Sequence, residues 1–162
     1  MFRPQHLWVT GMTAAVVSDQ MSKWWALKNL SPHEHWQILP GVGGYLTYNS
    51  GIAFSVFANA QVWVHYLLIA ITFMVCSYLV HLLYSLPPSR GVRAGLVLII
   101  GGAMGNVIDR IFRGQVIDFI HLHYGEWSFP IFNVADIWIS IGAALWIFCY
   151  PKAKTKTKTR GQ

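Results

Sequence analysis

Charge is scarce in this chain, and acidic charge is scarcest. Of 162 residues only 11% are Asp, Glu, Lys or Arg, and six are acidic. A soluble globular domain carries about a quarter charged residues, so the composition excludes an ordinary water-soluble fold. Cysteine is nearly absent. Cys76 and Cys149 both lie inside apolar runs, where they are expected as buried small hydrophobes rather than a disulfide, and they form neither a metal nor a redox motif. No H-E-x-x-H occurs, and no Ser or Cys stands in a recognisable nucleophile setting. No internal repeat is evident. No A-x-A site follows the first apolar run, so a cleaved signal peptide is not expected there.

What is abundant is apolar sequence: 54% of the chain, with eight Trp. It is blocked into four runs, about 7–27, 62–86, 92–112 and 134–150. Each is close to the roughly 20 residues that cross about 30 Å of hydrocarbon. Pro87-Pro88 ends the second run, because proline cannot continue a helix. Arg3, Arg90, Arg93 and the tail bases Lys152, Lys154, Lys156, Lys158 and Arg160 gather on one side of these runs, and the acids fall toward the other. This is the positive-inside pattern and not a nucleic-acid face. Both termini are therefore expected in the cytoplasm, and the 28–61 and 113–133 connections outside. Gly41-Val42-Gly43-Gly44 punctuates the first connection, Tyr45–Tyr48 reads as strand, and Phe54–Phe57 is a second short candidate. The predicted architecture is one integral membrane domain over 1–162. It has an all-α core of four transmembrane helices, a small external β-containing layer at the outer membrane surface, and a basic cytoplasmic tail, 151–162. Trp24, Trp25, Trp36, Trp63, Trp127 and Trp138 lie near run ends, as an interfacial belt would place them.

Several polar residues sit where polarity is expensive. Asp118 and Asp136 are each embedded in apolar sequence at the edge of a run, on the same side. An acid in such a place is a functional-site candidate, although Asp136 alone also fits a helix N-terminus stabilised by the dipole. Asp19 and Lys23, at i and i+4, can meet on one helix face and read first as structural support. In the third run, helical periodicity gathers Gly101, Gly102, Gly105, Asn106, Asp109 and Arg110 on one half, and Ile100, Met104, Val107, Ile108 and Ile111 on a lipid-facing half. Gly101-x-x-x-Gly105 permits close helix approach. Asn106, Asp109 and Arg110 require polar partners, with Arg110 assigned either to external structure or to a polar group of a substrate. His33-x-His35 and His121-x-His123 offer a metal alternative, a weak signal in loops. A small channel or transporter and a non-enzymatic assembly factor are the rival classes. Against the first, the polar residues cluster in the outer half and no inverted repeat is present.

Five motifs then occur in order: Asp19-Gln20-Met21-Ser22-Lys23, Asn49-Ser50-Gly51-Ile52-Ala53-Phe54, the block Gly101 to Arg110, Val116-Ile117-Asp118-Phe119 and Phe132-Asn133-Val134-Ala135-Asp136. With them the chain resembles the bacterial lipoprotein signal peptidases, the signal peptidase II family, over nearly its whole length. Ile52 stands where alanine is common. The resemblance implies an aspartic-type membrane endopeptidase. Its substrate would be a diacylglyceryl-modified prolipoprotein, cut just before the lipidated cysteine. It implies Asp118 and Asp136 as the catalytic pair. Asn49, Gly51, Asn106, Arg110 and Asn133 are implied around the site, and Asp19, Lys23 and Asp109 in support. It implies no metal and no cofactor, inhibition by globomycin, contact with membrane lipid, and a site near the outer leaflet of the bacterial inner membrane. A monomer is the simplest expectation.

Overall fold

A computed structural model describes residues 4–51, 61–85 and 89–150. The tail 151–162, Pro87-Pro88, Arg3, Ile52 and the strand candidate Phe54–Phe57 lie outside the described residues. The order is α1 (Pro4–Asn29), β1 (His35–Leu39), β2 (Val42–Asn49), α2 (Gln61–Ser85), α3 (Arg90–Arg113), β3 (Val116–Tyr124), β4 (Trp127–Ser128) and α4 (Val134–Cys149). Each expected apolar run is thus a helix. Trp63–Ser85 and Arg90–Arg113 are long and apolar enough to cross a membrane. The 26-residue α1 is interrupted by Asp19, Lys23 and Lys28, and α4 is shorter at 16 residues.

The third helix is the centre of the bundle and packs against the other three. Its glycines decide this. A Cβ on Gly95 would lie 2.5 Å from the Gly142 carbonyl of α4, and one on Gly102 would lie 2.5 Å from the Ala135 carbonyl. On the α1 side, a Cβ on Gly101 would lie 2.7 Å from the Ala15 Cβ. Bare backbones therefore touch on two sides of one helix. In lipid this small-residue packing matters more than apolar contact, because hydrocarbon tails are as apolar as the side chains.

The remaining face of α3 differs from expectation. Ile100 and Val107, read as lipid-facing, are buried. Ile100 joins Val92, Leu96 and Val97 against Cys76, Leu79 and Leu83 of α2. Ile111 does remain exposed. The cysteines also divide: Cys76 is buried, but Cys149, expected buried, is exposed at the end of α4.

At one end of the bundle lies a four-stranded antiparallel sheet in the order β1-β2-β3-β4. The Tyr45–Tyr48 strand expectation falls within β2. The β3 strand was read only as connection, yet nine residues rich in Ile, Val and aromatics stand there between Gly114 and Gly125. Gly114 terminates α3 in the left-handed region (φ 78°), donating its N–H to the Arg110 carbonyl, and turns the chain straight into β3. Ile117 and Phe119 then pack with Leu46 of β2 onto Ala26 and Leu30 at the end of α1. This small core anchors the sheet, and with it Asp118, to the bundle.

Candidate active site

Asp118 lies on β3 between those two core residues. Strand alternation turns it to the opposite face from Ile117 and Phe119, and it is only 3% exposed. Asp136 enters from the first turn of α4. Asn133 caps that helix: its Oδ1 accepts the Asp136 N–H at 3.1 Å, and the Asp136 Oδ2 accepts the Asn133 N–H at 3.2 Å. This reciprocal box satisfies two N–H groups that every helix start leaves free. It also fixes the Asp136 carboxyl at the positive end of the helix dipole.

The same Asn133 joins the two acids. Its Nδ2 donates to the Asp118 Oδ1 at 2.6 Å. The other Asp118 oxygen accepts the Asn49 amide at 2.9 Å. Asn49 is itself oriented, because its Oδ1 accepts the Gly51 N–H at 2.8 Å. Gly51 suits that turn, with φ at 76°, and a Cβ there would lie 2.7 Å from Leu68 of α2. The Asp136 Oδ1 accepts the Asn106 amide at 3.0 Å. Each of the four carboxyl oxygens thus holds one N–H donor, and three asparagines supply them. Burial pushes the Asp118 carboxyl above the usual carboxylate range. The Asn49 and Asn133 donors oppose that rise, and the neighbouring Asp136 charge adds to it.

Behind the pair stands a buried ionic network. Lys23 is fully buried, and its Nζ reaches the Asp19 Oδ2 at 2.8 Å, the Asp109 Oδ2 at 2.7 Å and the Asn106 Oδ1 at 2.8 Å. Asp109 also pairs with Arg113 at 2.6 Å and accepts the Ile117 N–H at 3.3 Å. Asp19 accepts the Ala135 N–H at 2.9 Å, taking a free amide at the start of α4. Two anions are matched by two cations, so the cluster is neutral as a whole, which makes its burial tolerable. It ties α1, α3, α4 and β3 together at one level. Gly105 makes room for it, since a Cβ there would lie 2.5 Å from the Asp19 Oδ2.

The chain is similar to known proteins over most of its length. A family model described as signal peptidase (SPase) II matches residues 12–151. The lipoprotein signal peptidase of Polynucleobacter necessarius is 41% identical over 130 residues, 80% of each chain. That of Neisseria meningitidis serogroup C is 38% identical over 139 residues, 85% of this chain and 84% of the relative. The chain belongs to the signal peptidase II family. Two solved bacterial membrane enzymes share the fold: one has a TM-score of 0.77 at 24% identity over 97% of this chain and 94% of its own, the other a TM-score of 0.76 at 24% identity over 92% and 95%. Family membership makes the protein a peptidase and removes the channel and assembly-factor alternatives.

The expected site residues divide into two shells. Asp118, Asp136, Asn49, Asn106 and Asn133 form one hydrogen-bonded set, and Gly51 orients Asn49. Asp19, Lys23 and Asp109 form the ionic set that touches it through Asn106. Arg110 belongs to neither by direct pairing. Among the described residues its Nη1 reaches only the Asn106 backbone carbonyl, at 3.5 Å, and its buried Nε has no partner. Its charge acts on Asp118, Asp136 and Asp109. Two members of this buried network were missed, the cation Arg113 and the neutral Gln20. Arg113 was findable, four residues after Asp109 on one helix face. Gln20 donates to Asp19, Asp109 and the Gly105 carbonyl, and no local pattern marks it.

Proposed function

We propose that this protein is an aspartic-type membrane endopeptidase. It removes the signal peptide from diacylglyceryl-modified prolipoproteins, cutting just before the lipidated cysteine. The observation that carries the chemistry is the bridge through Asn133, which holds Asp118 and Asp136 in one network. Two neighbouring carboxyls cannot both ionise easily, so the pair shares one proton. The ionised member takes a proton from water, whose oxygen bonds to the scissile carbonyl carbon. The protonated member polarises that carbonyl, and the C–N bond breaks as the leaving amine gains a proton. The pair titrates as a unit. Arg110, which has no strong partner among the described residues, is placed to meet a polar group of the substrate, and the network of Asp19, Lys23 and Asp109 holds the asparagines in register. The chemistry calls for neither metal nor cofactor.

All four helices span the bacterial inner membrane in this reading, within a single domain, 1–162. Both termini and the basic tail 151–162 face the cytoplasm, and the site lies near the outer leaflet. Exposed Trp24, Trp25, Trp36 and Trp127 around the sheet end of the bundle suit the outer interface. The shorter α4 is accommodated by its close seat on α3 at Gly95 and Gly142. The substrate's two acyl chains, at about 0.8 kcal/mol per buried CH₂, keep it in the membrane, so it enters laterally from lipid. The enzyme acts as a monomer, and globomycin blocks it.

Asp118→Asn and Asp136→Asn, made separately, are each expected to lower cleavage of a diacylglyceryl-modified prolipoprotein about a thousandfold or more. The assay is turnover in detergent micelles, with chelator present. Normal turnover by either variant sinks the pair, and loss of wild-type activity on chelation sinks the metal-free chemistry.

A further inference from the structure

The sheet carries a second cluster of chemistry on the face away from Asp118. Residues 121 and 123 of β3 point together, two apart on a strand. In register, Gly43 of β2 lies opposite His121 and Gln37 of β1 lies opposite Gly43. With no side chain at Gly43, the middle strand leaves a gap between β1 and β3 on this face, flanked by Tyr45, whose ring centre lies 4.4 Å from that of His35 and 6.2 Å from that of His121. His35 of β1 leans across that gap. Its ring centre lies 5.3 Å from that of His121, and the rings of His121 and His123 are 5.2 Å apart. The three rings border a cleft of about 470 Å³ that also includes Trp36, Glu126 and Trp127. None of these residues belongs to the peptidase site.

His121 is the decisive member. It is 7% exposed, and its Nε2 lies 2.7 Å from the Ser128 Oγ. Its Nδ1 is buried with no hydrogen-bond partner among the described residues. When Nε2 carries the proton and donates to Ser128, Nδ1 keeps an unused lone pair beside two other imidazoles. A ring nitrogen anchored through its opposite N–H is the usual condition of a metal-ligating histidine. Two imidazoles on one tetrahedral ion, with metal–nitrogen distances of about 2.0–2.1 Å, have ring centres about 5 Å apart. That is the spacing already present for His35 with His121 and for His121 with His123. No three donor side chains among the described residues yet meet at a point. His35 is exposed and His123 half-buried, so side-chain rotation of either is cheap.

We propose that His35, His121 and His123 form a binding site for a divalent transition-metal ion such as Zn²⁺, separate from the peptidase site. The bound ion ties the edge strand β1 to β3, the strand that carries Asp118. Ser128 orients the central ligand, and Glu126 is available as a further oxygen donor at the cleft.

The test uses the full chain without a polyhistidine tag, in detergent, with Zn²⁺ titrated against a chromophoric chelator. One equivalent per chain is expected, with a metal-dependent rise in melting temperature. His35→Gln, His121→Ala and His123→Gln should each abolish stoichiometric binding. Ser128→Ala should weaken it about ten- to hundredfold. A triple substitution of His6, His65 and His81 should leave it intact. Cu²⁺ in place of Zn²⁺ should show imidazole nitrogen coupling by electron paramagnetic resonance, lost in the same variants. His35→Gln and His123→Gln alter residues outside the core, so they carry the test even where His121→Ala fails to fold. Absence of stoichiometric binding, or binding unchanged in His35→Gln and His123→Gln, overturns the site. Metal-free turnover should be unchanged in those two variants.

Discussion

Lys23→Met isolates the contribution of the buried ionic network. The ammonium has three oxygen partners at 2.7–2.8 Å and no exposure. Methionine fills much the same volume, so packing is conserved while one positive charge disappears. Asp19 and Asp109 are then left with only Arg113 between them. Removing one partner of a buried ion pair costs about 3–5 kcal/mol, because the other charge stays desolvated. Arg113→Met provides the contrast. Its side chain is 33% exposed, and exposed pairs contribute about 1 kcal/mol or less. The two losses should therefore differ by at least about 2 kcal/mol, measured by reversible unfolding in mixed micelles. The double variant Lys23→Met/Asp19→Asn leaves Asp109 balanced by Arg113 and still offers Ala135 an acceptor, so it should be more stable than Lys23→Met alone. No recovery in the double variant would refute the view that charge balance holds this level of the bundle together, and equal losses for Lys23→Met and Arg113→Met would refute the view that burial gives Lys23 the larger share.

Asn133→Ala should cost about 1 kcal/mol as a lost helix cap. It also removes the donor to the Asp118 Oδ1, so kcat should fall much further than the melting temperature suggests. A kcat unchanged in folded Asn133→Ala would dissociate the bridge from catalysis. The raised Asp118 carboxyl has a linked effect on stability. Between its ordinary value of 3.8 and its higher folded value, the native state binds more protons than the unfolded state. Stability due to this group therefore falls as pH rises through that window, then levels. Relative to Asp118→Asn, the wild type should lose stability from about pH 4 upward. A stability difference that is flat, or that grows in the wild type's favour with rising pH, contradicts the burial argument.

The helices were legible because the signal for them is local. A long apolar run and its proline or glycine boundary depend on neighbours in sequence, and α2 and α3 follow those boundaries within a residue or two. What periodicity could not supply was the identity of the neighbour. Ile100 and Val107 form an apolar face, and an apolar face suits lipid and a partner helix equally. Only the central position of α3 decides the matter. That position follows from glycines on two sides of the helix, Gly95 and Gly102 toward α4 and Gly101 toward α1. The pattern had been read as one close approach through Gly101 and Gly105. The β3 strand was hidden for a related reason: Asp118, His121 and His123 make it look like a polar connection, while its Val, Ile and Phe residues are those of a half-buried strand.

The site was legible as a set of residues and illegible as a circuit. Motif order nominated Asp118, Asp136 and the asparagines, and topology put them on one side. The roles within the set depend on long-range register. Asn49 reaches Asp118 because Thr47 lies opposite Asp118 across β2 and β3. Asn133 serves both acids because α4 begins at Val134, which turns a helix cap into a bridge. Lys23 reaches the acids' hydrogen-bonded set through the Asn106 side-chain Oδ1, so the residue first read as half of a structural i, i+4 ion pair also belongs to the orientation of the site. One charge, buried three bonds from Asp118 along hydrogen-bonded side chains, thus sets which end of Asn106 faces Asp136. The stability of the bundle and the alignment of the carboxyls are therefore coupled through the Asn106 amide and through the Ile117 and Ala135 N–H groups beside the two acids, and a substitution that disturbs the network is expected to affect both.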